Sequence, residues 1–450
     1  MKVHFIAIGG SAMHNLAIAL KRSGAEVTGS DDEIFEPSKS RLAAHNILPE
    51  KMGWDASKIS NHLDAIILGM HARKDNPELL AAQAQGLKIY SYPEFVFEQS
   101  KNQKRIVIGG SHGKTTITSM ILHVMQQLGI ETDYLVGALL EGFDCMVKLS
   151  NAPYMVIEGD EYLSSPLDLR PKFHWYKADI ALLSGVAWDH INVFPTFEHY
   201  VDQFRIFAKD IQPNGILIYY EGDEVLKDIA AETNHVQTLP YGTLDYLVAH
   251  NQTTVHFDGK EYLLHIFGEH NLQNLNGARL VLNQIGVSNE AFFKAIQSFK
   301  GAAKRLETIA ENKHSIVFKD FAHSPSKLKA TTKAVKNQYK NRQLIACMEL
   351  HTFSSLKKDF LPQYKNAMAA ADKAYVYYSP EVVKHKKLEA ITDQDVLSGF
   401  ESDNVEVFTD SKALFTLLKN EVKDGTNLLL MSSGNFNGVD LNAFASELVK

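Results

Sequence analysis

The chain has 450 residues, 45% hydrophobic and 22% charged, an ordinary balance for a globular protein with room for about two to four domains. A formal charge of −7 excludes the broad basic field of a general nucleic-acid binder. Cys145 and Cys347 stand in no metal or redox spacing, no apolar run approaches the ~20 residues that cross a bilayer, and no basic-plus-apolar leader precedes the first strand. The expected setting is therefore a reducing cytoplasm.

From residue 1 to about 103, residues 4–8, 26–28, 65–68 and 88–91 read as strands. Residues 12–23, 38–45 and 78–85 read as helices, and this alternation predicts a parallel sheet covered by helices. The first strand ends in the turn Gly9-Gly10-Ser11-Ala12-Met13, and Ser30-Asp31 closes the second. An acid about 20 positions after a glycine turn is the dinucleotide-fold pattern, in which the carboxylate takes a ribose hydroxyl. The glycine spacing departs from the nicotinamide fingerprint, so a nucleotide diphosphate is the better ligand. A purely structural turn with a helix-capping Asp31 stays open. The polar residues 99–104 read as a linker.

The second segment opens on the most informative stretch. A short apolar strand from residue 105 runs into Gly110-Ser111-His112-Gly113-Lys114-Thr115-Thr116, followed by a helical pattern over 117–128. Strand, glycine turn, Lys-Thr and helix are the parts of a phosphate-binding loop. Backbone N–H groups and the helix N-terminus cradle phosphates, Lys114 reaches the terminal oxygens, and Thr115 offers a hydroxyl to Mg2+. The usual first glycine is replaced by Ile108, so the loop is a shortened form. An ordinary strand-to-helix turn is the bland alternative.

Further strands are expected over 154–158, 180–183 and 215–219, and residues 252–267 alternate like small antiparallel strands turning at Asp258-Gly259. Glu158 and Glu161 follow the 154–158 strand. Carboxylates at the C-terminal edge of a parallel sheet, beside a phosphate loop, suit Mg2+; a solvated acidic turn is the alternative. Asp189-His190 follows the next strand, and His190 becomes a metal candidate only through that neighbourhood. A helix is expected over 271–285, carrying Asn274. The third segment, from about Gly301, has strands over 315–319, 343–348, 374–378 and 427–431 and helices over 326–337 and 411–418. The expected architecture is three α/β domains: a Rossmann-like 1–103, a P-loop ATPase-like 104–300 and a Rossmann-like 301–450.

Taken in order, these pieces resemble the Mur ligase family, ATP-dependent ligases that build the peptide stem of bacterial cell-wall precursors. The resemblance spans essentially the whole chain: residues 8–13, the compact 110–116 loop, Glu158 to Glu161, Asp189-His190, His270-Asn271 with Asn274, Arg305 and Asp320. It implies that 1–103 binds UDP-N-acetylmuramate through Gly9, Gly10, Ser11, Ala12, Met13, Ser30, Asp31 and His71. It implies that 104–300 binds ATP through Gly110 to Thr116 and Asn274, with Arg305 and Asp320 added from 301–450, the domain expected to take the peptide. Lys114, Glu158 and His190 are the implied catalytic residues, and Thr115, Glu158, Glu161 and His190 the implied Mg2+ ligands.

The resemblance also implies a mechanism. A muramyl carboxylate attacks the γ-phosphate of ATP to give an acyl phosphate, and an amine then displaces phosphate. Two branches differ in that amine, one adding L-alanine and the other re-attaching recycled L-alanyl-γ-D-glutamyl-meso-diaminopimelate. Residues 34–41, 69–72, 349–354 and 431–436 are more similar to the second. No nucleic-acid or membrane partner is implied, and a monomer or weak homo-oligomer is expected. Where several relatives carry a carbamylated lysine, this chain offers Arg205 and Lys209, and His323 is followed by Ser324 instead of a second histidine. A nicotinamide oxidoreductase, which would give Lys114 no role, and a non-catalytic UDP-sugar sensor remain as rivals.

Overall fold

The computed structural model describes residues 1–138, 142–189, 191, 193–302 and 305–450. It divides into two compact units, one of Met1–Val186, Thr196–Gly242 and Gly277–Phe292, the other of Ala187–Pro195, Thr243–Asn276 and Phe293–Lys450.

The first unit holds two sheets. One is built from β1 (Lys2–Ile6), β2 (Glu26–Ser30), β3 (Ala65–Leu68) and β4 (Ile89–Ser91), all parallel in the order β2-β1-β3-β4. Strand β1 stops two residues short of expectation because Ala7 turns to φ +69°, and the N–H groups of Ala7 and Ile8 both donate to the Ser30 carbonyl. The second sheet contains β5 (Lys104–Gly109), β6 (Thr132–Leu135), β7 (Val147–Lys148), β8 (Tyr154–Glu158), β9 (Ile180–Leu183), β10 (Ile216–Tyr220) and β11 (Gln237–Tyr241). Its order is β11-β10-β9-β5-β8-β6-β7, with β7 alone antiparallel. The central β5 is buried along nearly its whole length, as a strand covered on both faces must be.

Within the 99–104 stretch, read as a linker, Gln99, Lys101, Asn102 and Lys104 are exposed and Ser100 and Gln103 are buried. Tyr92–Gln99 is a helix started by a capping box between Ser91 and Glu94, and β5 begins at Lys104. The short turn between them is pinned from inside. Gln103 is buried and donates to Asp133 and to the Ala152 carbonyl, both at 2.8 Å, while Ser100 bonds back to Val96.

The second unit also holds two sheets. Strands β12 (Tyr246–Ala249), β13 (Gln252–Phe257) and β14 (Lys260–Leu264) form an antiparallel meander. The β13–β14 turn is Asp258-Gly259 with φ of +48° and +71°, the two positive values that a two-residue hairpin of matching twist needs. The larger sheet contains β15 (Glu307–Glu311), β16 (Ile316–Asp320), β17 (Gln343–Leu350), β18 (Lys373–Tyr378), β19 (Val405–Phe408) and β20 (Thr426–Met431) in the order β15-β16-β20-β17-β18-β19, antiparallel only at β15. Separate apolar clusters cover its two faces, one around Phe318, Met348 and Tyr364, the other around Tyr375, Leu414 and Phe436. Strands buried on both sides leave only the strand ends open to ligands.

Candidate active site

The β5 strand delivers the chain to Gly110, whose φ is +130°. A Cβ there would lie 2.2 Å from Ser184 Oγ and 3.0 Å from the Ser184 nitrogen, so only glycine fits. Gly113, at φ +80°, then opens the Lys114–Gln127 helix, which has neither a side-chain cap nor an acidic residue in its first turn. That helix end presents N–H groups and a positive dipole, as an anion requires.

Lys114 Nζ donates to the Gly110 carbonyl at 2.5 Å and to Glu161 Oε2 at 2.7 Å. Burial alone would lower the lysine pKa, but Glu161, Asp160 and Glu158 outweigh it and raise it, so the ammonium charge is fixed. Thr115 Oγ1 donates to Glu158 Oε1 at 2.7 Å, and Glu158 Oε2 accepts from Gly137 N at 2.8 Å. Register explains the proximity, because Glu158 pairs with Ile108 beside β5. Glu161 is 1% exposed. Asp160 turns away to Lys172.

Thr115, Glu158 and Glu161 together form a set of hard oxygen donors that suits Mg2+. Among the described residues, no group of three or more His, Cys, Asp or Glu side chains is arranged to hold a metal. His190, the expected additional ligand, lies outside the described residues. Arg205 does not stand in for a modified lysine, since its guanidinium pairs with Asp202 at 2.9 Å and Glu232 at 3.3 Å.

The N-terminal sheet brings its expected residues to one carboxyl edge. Asp31 Oδ2 accepts from Gly9 N at 2.7 Å, and a Cβ on Gly9 would sit 2.9 Å from that oxygen. Burial, aided by Asp32, pushes the Asp31 carboxyl up to about 6. Ser30 is buried and its hydroxyl accepts from Lys58 Nζ at 2.9 Å. Ser11, Ala12 and Met13 form the first turn of the Ser11–Arg22 helix beyond Gly10. The next loop starts at Gly69, whose N–H donates to the Ile6 carbonyl, and carries His71 into solvent.

In the second unit, Asp320 ends β16 and accepts from the backbone N–H groups of Leu306 and Ala322, both at 2.6 Å. Burial raises its pKa, and the nearby Arg305 charge opposes that rise. The Arg305 guanidinium lies 4.9 Å over the Phe321 ring. Asn274 is buried on the Glu269–Asn283 helix, and no described hydrogen bond joins it to Arg305 or Asp320. At the carboxyl ends of β17 and β20, Glu349 is buried and accepts from Phe436 N at 2.9 Å and from the Ser432 hydroxyl.

Tyr200, Ser184 and Gly137 are contacts that motif reading passed over. Tyr200 left a signal: with Phe204 and Phe207 it forms the buried face of the Phe197–Lys209 helix, where a phenol requires a partner for its hydroxyl.

Profiles of three domains match this layout: "Mur ligase family, catalytic domain" over residues 2–104, "Mur ligase middle domain" over 108–282 and "Mur ligase, glutamate ligase domain" over 304–434. The UDP-N-acetylmuramate–L-alanine ligase of Desulforamulus reducens is 30% identical over 378 residues, covering 80% of this chain and 79% of that protein. The chain belongs to the Mur ligase family.

This Mur ligase is thus an ATP-dependent enzyme of peptidoglycan synthesis that forms a carbon–nitrogen bond. The UDP-N-acetylmuramate–L-alanyl-γ-D-glutamyl-meso-2,6-diaminoheptandioate ligase of Haemophilus influenzae is 26% identical over 454 residues, 97% of each chain. In fold the enzyme resembles a murein peptide ligase from Psychrobacter arcticus, with a TM-score of 0.67, 24% identity and 99% coverage of both chains. It also resembles a UDP-N-acetylmuramate–alanine ligase from Thermotoga maritima, with a TM-score of 0.70, 19% identity and coverage of 97% and 96%. No helix among the described residues is long and apolar enough to cross a membrane.

Proposed function

We propose that this Mur ligase joins UDP-N-acetylmuramate to the recycled tripeptide L-alanyl-γ-D-glutamyl-meso-diaminopimelate, with ATP as co-substrate and Mg2+ as cofactor. In this reading residues 1–103 bind the UDP-sugar, 104–300 the ATP, and 301–450 the peptide.

One observation carries the choice of acceptor. The segments 349–354 and 431–436, which are similar to the tripeptide-adding branch, leave the ends of adjacent parallel strands and are tied together through the Glu349 carboxylate. An acceptor with several carboxylates needs cations at such a strand edge. Lys386 stands over the exposed Phe353 ring at 4.7 Å, which gives the edge a cationic group, and His351 lies 3.6 Å from Glu349. Lys358 is committed to Asp395 at 2.7 Å.

The chemistry is a problem of charge. An anionic carboxylate must approach an anionic phosphate, and Lys114 at the helix N-terminus counters that repulsion. The carboxylate oxygen attacks the γ-phosphorus and ADP departs; the alanyl nitrogen then attacks the acyl carbon, and phosphate leaves as the amine loses a proton. Mg2+, held by Thr115, Glu158 and Glu161, would supply further positive charge at the phosphates.

A second reading, free L-alanine as acceptor, is favoured by the name of the Desulforamulus relative. Purified enzyme with UDP-N-acetylmuramate and ATP, given each acceptor separately, distinguishes the two. Phosphate release with tripeptide is the expected result; release with alanine alone overturns the proposal.

A further inference from the structure

The phosphate loop is braced from a side that no motif marks. Tyr200, on the Phe197–Lys209 helix, is fully buried, and its hydroxyl donates to Glu161 Oε1 at 3.0 Å. The same phenolic oxygen lies 2.8 Å from Ser111 Oγ, inside the loop itself. A phenol has one proton to give, so with Glu161 as its acceptor the serine hydroxyl is the donor in that second bond. Glu161 is therefore gripped at both oxygens, Oε1 by Tyr200 and Oε2 by Lys114.

These two grips have different futures. On the proposed reading Lys114 turns toward phosphate oxygens when nucleotide enters, and its ion pair with Oε2 is then broken. Tyr200 keeps its place, because the rigid ring is packed edge-on against Phe204 at 5.2 Å. Ring packing alone does not account for the hydroxyl, since Phe204 and Phe207 fill the same buried face without one. A buried hydroxyl that spans a loop serine and a site carboxylate fixes the rotamer of that carboxylate, and rigid support of this kind is what ligand geometry depends on.

We propose that Tyr200 is a positioning residue: its hydroxyl, braced by Ser111, holds one oxygen of Glu161 so that the other faces Mg2+ once Lys114 has turned to ATP. This rests on reading Glu161 as a metal-facing carboxylate. In this role Tyr200 acts through Glu161.

The test is Tyr200→Phe, which keeps the ring. Binding of a non-hydrolysable ATP analogue is measured by calorimetry across a Mg2+ series and in EDTA, alongside thermal melting and a parallel Glu161→Gln variant. The Mg2+ concentration for half-maximal binding should rise about tenfold or more, the size of one hydrogen bond to a charged group, with metal-free affinity unchanged. Ser111→Ala leaves the tyrosine in place and should move the Mg2+ requirement the same way by less, which keeps the test available should Tyr200→Phe fold poorly. An unchanged Mg2+ requirement in Tyr200→Phe, or an equal loss of affinity with and without Mg2+, overturns the proposal. If Glu161→Gln raises the requirement and Tyr200→Phe does not, only the role of Tyr200 falls. If neither raises it, the metal reading of Glu161 falls too.

Discussion

Asp31→Asn tests the proposed UDP-sugar site through a titration. The carboxyl is buried beside Asp32 and accepts from Gly9 N, and its pKa stands at about 6 against an ordinary 3.8. The folded enzyme thus holds the Asp31 proton more tightly than the unfolded chain. That preference stabilises the fold fully below pH 3.8 and is lost as pH rises through about 6. At 1.36 kcal/mol per pH unit the whole effect is about 3 kcal/mol, and with Asp32 sharing the proton about 1–3 kcal/mol should be seen. Asparagine keeps an acceptor for Gly9 N and does not titrate. Urea unfolding of both proteins from pH 4 to 8 should show the wild type losing stability relative to the variant up to about pH 6, then a constant gap.

The substitution should also weaken UDP-N-acetylmuramate binding. One charge-assisted hydrogen bond to the nucleotide corresponds to about a tenfold rise in its KM at neutral pH. The KM for ATP should not change. Parallel pH–stability curves would refute the burial argument, and an unchanged KM for the UDP-sugar would refute the placement of Asp31 in that site.

Three further outcomes follow from the geometry. Gly110→Ala forces a side chain into φ +130° and against Ser184, and should cost about 1–3 kcal/mol of stability and raise the KM for ATP, read by melting and steady-state kinetics. Lys114→Ala should lower kcat about a hundredfold or more in a phosphate-release assay, whereas the oxidoreductase reading expects no effect. Glu349→Ala strands the Phe436 N–H and the Ser432 hydroxyl and should cost about 1–3 kcal/mol near pH 7. Burial would raise the Glu349 pKa, but His351, Ser432 and Phe436 N–H together lower it below 4.5. The part of its stabilisation linked to the charge is therefore complete above pH 4.5 and is lost as pH falls through the lowered value, so the gap between wild type and variant should narrow in acid.

Local signals carried much of the fold. Asp258-Gly259 announced a hairpin because only a few residue pairs tolerate two successive positive φ angles, and Gly110 with Gly113 announced the loop for the same reason. The Tyr92–Gln99 helix was missed although Ser91 and Glu94 spell its capping box, since its mixed aromatic and acidic residues carry little helical periodicity. Burial of Gln103 within the polar 99–104 stretch is not legible locally, because its partner Asp133 lies 30 positions away. Tyr200 shows the same limit at the site. Its burial was legible from the period of its helix, but its partners, Ser111 and Glu161, are separated from it by 89 and 39 positions.

The ion pair between Lys114 and Glu161 constrains how the site fills. Both groups are largely withdrawn from water, and together with Glu158 they balance a cation against two carboxylates. If Lys114 turned to a phosphate alone, its buried ion pair with Glu161 would be broken, a change that costs about 3–5 kcal/mol when one partner of such a pair is removed. The exchange becomes close to neutral only when another positive charge takes the place of Lys114 beside Glu161 and Glu158 as the phosphates arrive. On the proposed reading, nucleotide and Mg2+ should therefore bind with strong positive coupling, and Glu161→Gln, which removes the stranded charge, should weaken that coupling while leaving metal-free nucleotide binding equal to the wild type or better.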